Sequence, residues 1–182
     1  MILFIITGPP ASGKSTVSNK ISELFDKSAL LEGDLIYHMV KREIEVPWKS
    51  ERQVNLAFQN LADLSGNFLS SGFDVVLDWI VMPGQIGRII EKIGIMDLRV
   101  YFIVLMADLD TLKNRDRVRG TNMGTRIDDL YNEFQTTDIH SHILFNHNKT
   151  AESVAREIFE NSNKYEWINC QPDQHEGKGG TC

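Results

Sequence analysis

Gly8-Pro9-Pro10-Ala11-Ser12-Gly13-Lys14-Ser15-Thr16 follows directly on the apolar run Ile2 to Thr7. The spacing is G-x-x-x-x-G-K-S after a strand-like segment, the pattern of a loop that holds nucleotide phosphates. Such a loop works because backbone N–H groups and a helix amino terminus together offer donors and partial positive charge to an anion. Gly8 and Gly13 allow the tight turn that aims those groups inward. Lys14 reaches the β- and γ-phosphates as a point charge, and the Ser15 hydroxyl is a ligand for Mg²⁺. Pro9 and Pro10 stiffen the loop. We assign nucleotide binding to Gly8, Ala11, Ser12, Gly13, Lys14, Ser15 and Thr16.

Two acids stand where a phosphate-loop protein would use them. Asp34, in Leu31-Glu32-Gly33-Asp34, is placed to face the γ-phosphate as a general base or to orient an acceptor hydroxyl; a plain helix N-cap is the alternative. Asp78 ends Val75-Val76-Leu77-Asp78, a hydrophobic strand followed by an acid, and is assigned with Ser15 to the metal side; a solvated strand-end carboxylate is the alternative. Arg115 and Arg119 lie four apart and share a helix face leading into Gly120. Two guanidinium groups so placed can close over phosphates and steady the charge of transfer, or form a solvated face paired with Asp108, Asp110 or Asp116. Arg117 points elsewhere. Arg88 and Arg126 are weaker candidates for an anionic ligand, and His38 for substrate contact. Trp48, Trp79 and the methionines read as core or pocket wall. His140, His142 and His147 have no metal-ligand spacing, so no zinc site is expected.

These residues need a framework, and the chain supplies one. Continuous apolar runs predict strands at Ile2–Thr7, Ala29–Glu32, Asp74–Asp78, Arg99–Met106 and His142–Asn146. Helices are predicted between them: Lys14 to Phe25, one starting at Asp34, Glu51 to Ser70, Ile86 to Ile93, Leu109 to Arg119, Ile127 to Gln135 and Ala151 to Phe159. Short buried strands alternating with helices imply an α/β fold, a three-layer α/β/α arrangement with a mainly parallel sheet. Ligands of such sheets bind beyond the carboxyl ends of the strands, where Gly8, Asp34, Asp78 and Asp108 all fall. We expect one domain over residues 1–160, with a lid at about 112–126. Residues 161–182 are expected to be a polar, partly disordered tail against which Trp167 is the exception, packing back onto the body.

The 182 residues are 42% hydrophobic, enough for one real core. A net charge of −6 argues against a broad nucleic-acid surface. The two cysteines, Cys170 and Cys182, imply no disulfide framework, so a cytoplasmic setting is expected. No run is long enough to span a membrane, and Met1 to Ile6 reads as a first core strand instead of a signal peptide.

The assembled residues resemble phosphate-loop small-molecule kinases of the nucleoside-monophosphate-kinase-like group. Gluconate kinases are the nearest likeness and antibiotic phosphotransferases such as chloramphenicol phosphotransferase the next. The similarity rests on Gly8 to Thr16, Glu32-Gly33-Asp34 with His38, Arg115-x-x-x-Arg119-Gly120, Ile127 to Phe134, and His142 to Asn146 followed by Thr150 to Ala155. It implies a P-loop kinase fold with a five-stranded sheet and a helical lid. The implied activity is phosphoryl transfer from ATP, with Mg²⁺, to a hydroxyl of a small metabolite. Lys14, Asp34, Arg115 and Arg119 are the catalytic candidates, and a homodimer is common for such kinases. A nucleotide-binding regulatory ATPase and a kinase of nucleic-acid ends are the competing classes; the acidic balance disfavours the latter.

Overall fold

Alternation along the first strand decides the layering. Leu3 and Ile5 point to one face of the sheet and Phe4 and Ile6 to the other, and each pair sits in a different core cluster. The computed structural model describes residues 1–120 and 123–168. Its strands are β1 (Ile2–Thr7), β2 (Ser28–Glu32), β3 (Asp74–Asp78), β4 (Arg99–Met106) and β5 (Ile143–Phe145). Its helices are α1 (Lys14–Ser22), α2 (Gly33–Tyr37), α3 (Glu51–Ser70), α4 (Pro83–Ile93), α5 (Leu109–Arg119), α6 (Thr125–Thr136) and α7 (Ala151–Glu160). The sheet has five strands in the order β2-β3-β1-β4-β5, every pair parallel. One core cluster joins α1 and α7 to Phe4, Ile6, Val76, Tyr101, Ile103 and Leu105. The larger one packs α3 and α4 on the opposite face, around Leu3, Ile5, Leu77 and Phe102. This is the expected three-layer α/β/α fold.

β1, β3, β4, α3 and α5 keep the predicted boundaries. α1 is shorter than its apolar pattern suggests: it ends at Ser22, and Glu23 is its C-cap. The reason is the return to the sheet, because the Ser28 hydroxyl donates to the Ser22 carbonyl at 2.7 Å and closes the connection before β2. Leu24 is therefore 37% exposed instead of lying on the inner face. β5 has only three residues, since Asn146 leaves the ladder after its N–H bonds the Met106 carbonyl.

Beyond α7, a 3₁₀ turn at Ser162–Tyr165 packs onto β4. Tyr165 is buried, and the Trp167 N–H donates to the Val100 carbonyl at 2.8 Å. The Trp167 ring meets Phe102 and His142 at 5.4 and 5.5 Å. The polar tail thus begins with a docked segment; Gly177 to Gly180, Cys170 and Cys182 lie outside the described residues. Among those described, no helix is long and apolar enough to cross a membrane.

Candidate active site

β1 is flanked by β3 and β4, so its carboxyl end is where the chain connections diverge to the two sides of the sheet, the place where α/β folds leave a crevice. The phosphate-binding loop leaves β1 there. Gly8 has φ +139°, and a Cβ on it would overlap the Leu105 carbonyl of β4. No residue with a side chain fits that approach. Ala11 and Gly13 also hold positive φ, 62° and 92°, and α1 starts without a side-chain cap. Its first-turn N–H groups are left for a ligand.

The Lys14 ammonium folds back over this loop, donating to the Gly8 and Pro9 carbonyls at 3.0 and 3.1 Å. Burial holds it below the ordinary lysine value; Asp78 and Asp34 oppose that shift, and Arg119 adds to it. Those causes locate the other candidates. Asp34 from the start of α2, Asp78 from the end of β3 and Arg119 from the end of α5 all act on one ammonium.

Asp78 is only 5% exposed and lies beside Ile6 and Glu32 in the sheet register. Burial raises its carboxyl above the ordinary aspartate value; the Lys14 charge and a hydrogen bond from the Ser15 hydroxyl pull it back, while Asp34 and Glu32 push it further up. The Ser15 hydroxyl and Asp78 carboxylate together are a hard oxygen pair of the kind Mg²⁺ accepts beside phosphate and water. No cluster of three or more His, Cys, Asp or Glu side chains suited to a metal occurs among the described residues. The donor set therefore fits a cation carried largely by the nucleotide, not one caged by protein.

Asp34 is not the N-cap of α2. That place belongs to Glu32, and Asp34 lies inside the first turn, exposed. Its carboxylate accepts from Trp79 Nε1 at 3.2 Å. Trp79 in turn lies flush against Gly33, where a Cβ would fall inside the indole. His38 Nδ1 approaches the Asp34 carbonyl, not its carboxylate, at 2.7 Å. Arg115 Nη1 donates to Asn146 Oδ1 at 3.4 Å. Arg117 turns to Asn114 and is exposed. Arg126 faces Asp129 at 4.0 Å, Arg88 is exposed on α4, and Thr16 is exposed on α1. Trp48 is half-exposed and belongs to no core.

Four residues have positioning roles that no motif assigns to them. Asn146, 4% exposed, donates through Nδ2 to the Ser12 carbonyl and ties the end of β5 to the phosphate loop. Buried Thr7 accepts through Oγ1 from the Val81 N–H at 2.9 Å, joining the end of β1 to the connection that follows β3. Gly33 and Trp79 set Asp34. The signal for Thr7 and Asn146 is a polar residue closing an apolar strand run; nothing local marks the pairing of Gly33 with Trp79. Buried Asp116 of α5 accepts from the Met123 N–H at 2.9 Å, ahead of α6.

Residues 3–135 match a protein-family model described as an AAA domain. An adenylate kinase from Kocuria rhizophila is 28% identical over 144 residues, covering 71% of this chain and 73% of that protein. The tunicamycin resistance protein of Deinococcus radiodurans superposes with a TM-score of 0.65 at 16% identity, over 87% of this chain and 93% of that one. A gluconokinase from Sinorhizobium meliloti gives 0.64 at 14% identity, over 88% and 91%. With the all-parallel five-stranded sheet, these likenesses define a P-loop kinase fold.

Proposed function

The chain belongs to the AAA-domain family matched over residues 3–135, and from that premise we propose that it is a kinase transferring the γ-phosphate of ATP to a hydroxyl of a small metabolite. One observation carries the reading: Asp34, Asp78 and Arg119, drawn from three separate parts of the chain, all bear on the buried charge of Lys14 in the phosphate loop, and Asp34 bears on Asp78 as well. Similarity to an adenylate kinase supports nucleotide as the donor.

In this proposal the loop amides and the α1 amino terminus hold the phosphates, and Lys14 swings from its own loop carbonyls onto the β- and γ-oxygens. Ser15 and Asp78 would hold Mg²⁺, which supplies positive charge against the phosphate oxygens. Asp34 accepts the acceptor's hydroxyl proton or aims that hydroxyl, with its rotamer held by Trp79. Arg115 and Arg119 stabilise the charge of the moving phosphoryl group as the lid closes. Positioning and electrostatics suffice for most of the rate gain in such transfers. The fold likeness extends equally to a gluconokinase and to an antibiotic resistance protein, so it supports both a gluconate-like acceptor and an antibiotic-like one.

The test is ADP release from ATP and Mg²⁺ across a panel of hydroxylated metabolites. Release that depends on an acceptor supports the kinase, whereas ATP binding with no transfer to any acceptor supports a regulatory ATPase instead. Lys14→Ala is expected to lower turnover by a factor on the order of 10² or more. Asp34→Asn is expected to lower turnover more than ATP affinity; equal losses in both would make Asp34 merely structural.

A further inference from the structure

Half of the exposed large hydrophobic side chains among the described residues fall between Leu35 and Leu56. Leu35, Met39, Ile44, Val46, Trp48 and Leu56 are between 40% and 65% exposed. A contiguous exposed apolar patch marks a binding face, and Met39 and Leu56 of this set share one surface. Both border a cavity of about 190 Å³ between α2 and α3. Ile36, Met39, Val40, Leu56 and Ala57 form its apolar wall, and no charged residue lines it.

Apart from Asn60, the polar side chains at its rim are already committed. The Tyr37 hydroxyl donates to the Glu45 carbonyl at 2.8 Å and lies 3.2 Å from Gln53 Oε1. Gln53 Oε1 also accepts from the Glu45 N–H, and its Nε2 donates to the Glu43 carbonyl. A polyhydroxylated ligand would find few free partners there. The size suits an apolar group about as large as an aromatic ring, since a benzene ring occupies an apolar cavity of roughly 150 Å³.

Two packed rings connect the cavity wall to the candidate base. Tyr37, which lines the cavity, packs against Trp79 with ring centroids 6.3 Å apart, and Trp79 holds the Asp34 carboxylate. Asp34 and Tyr37 are also three apart on α2, on neighbouring parts of one face. We propose that this cavity is the acceptor subsite for an apolar moiety, so that the acceptor is an amphipathic alcohol: a hydroxyl presented to Asp34 and an aromatic or branched aliphatic body seated between α2 and α3. The inference rests on the kinase reading above and narrows its acceptor away from a free sugar acid.

Three probes separate the possibilities: 1-phenyl-1,2-ethanediol, 1,2-propanediol and gluconate, titrated by ligand-observed NMR into the full chain with and without a non-hydrolysable ATP analogue and Mg²⁺. The phenyl diol is expected to bind ten- to a hundredfold tighter than propanediol, the gain from burying one ring, and tighter than gluconate. Leu56→Glu and, independently, Met39→Glu, both at exposed positions that folding tolerates, are expected to remove that preference. Equal affinity for the two diols, or gluconate binding best, overturns the proposal. So does a Leu56→Glu variant that leaves the preference intact but converts a dimer to a monomer in sedimentation, because the apolar face is then a contact between copies. Failure of the ATP analogue to bind, read by calorimetry in the same samples, sinks the kinase reading separately from the ring preference.

Discussion

Asn146→Ala tests whether the phosphate loop is held in place from outside itself. The side chain is 4% exposed and donates to the Ser12 carbonyl at 2.6 Å. Ser12 is fully buried, so its carbonyl loses its donor with no water to replace it. A buried group left in that state costs about 1–3 kcal/mol. The second contact, from Arg115 at 3.4 Å, is long and adds little. A total near 2 kcal/mol corresponds to a melting temperature lower by roughly 4–8 °C in a chain of this length. ATP affinity should fall about tenfold as well, because the cost of ordering the loop then falls on the binding step. Asn146→Asp should be worse, since a carboxylate oxygen would replace the donor facing Ser12; Arg115→Ala should shift stability by less than about 0.5 kcal/mol. Calorimetric melting and a titration with ATP and Mg²⁺ measure both effects. An Asn146→Ala chain that melts within about 1 °C of wild type and binds ATP unchanged would refute the reasoning and leave the loop held by its own turns.

Asp78→Asn addresses the buried acid. Its raised carboxyl value means the folded chain holds that proton more tightly than the unfolded chain, a contribution present at acidic pH and lost as pH rises through the raised value. Without nucleotide or metal, the melting temperature of Asp78→Asn relative to wild type should therefore climb from pH 4 to pH 8, while its response to Mg²⁺ in nucleotide binding falls. Parallel stability curves would sink the desolvated-carboxylate account. Gly33→Ala drives a methyl into Trp79 and should destabilise by about 1–3 kcal/mol, with weaker support for Asp34. In a Trp79→Leu background the penalty should shrink; an undiminished one would mean that another neighbour is responsible.

Much of the site is written in local sequence. Gly8, Gly13, Lys14 and Ser15 are recognisable because a phosphate loop is one contiguous segment whose backbone needs glycine at fixed intervals, and Gly8 does meet the β4 backbone where only glycine fits. β3, β4 and α3 were legible for the same reason, since periodicity and contiguous apolar runs are properties of neighbours in the chain. Asp34 was legible as a candidate but not in its setting: Glu32 takes the N-cap place, and Trp79, 45 residues away, supplies the hydrogen bond to its carboxylate.

The sequence by itself therefore determined the phosphate-loop pattern, the α/β alternation and which charged residues are candidates for a site. Tertiary structure decided which of them meet. The order β2-β3-β1-β4-β5 brings Asp34 and Asp78 beside Lys14, and Asn146 secures Ser12 across 134 residues. It also ended α1 early and opened an uncharged cavity between α2 and α3. The physical reason is that a hydrophobic pattern specifies which face of an element is buried, whereas the partner covering that face is selected only when the whole chain packs.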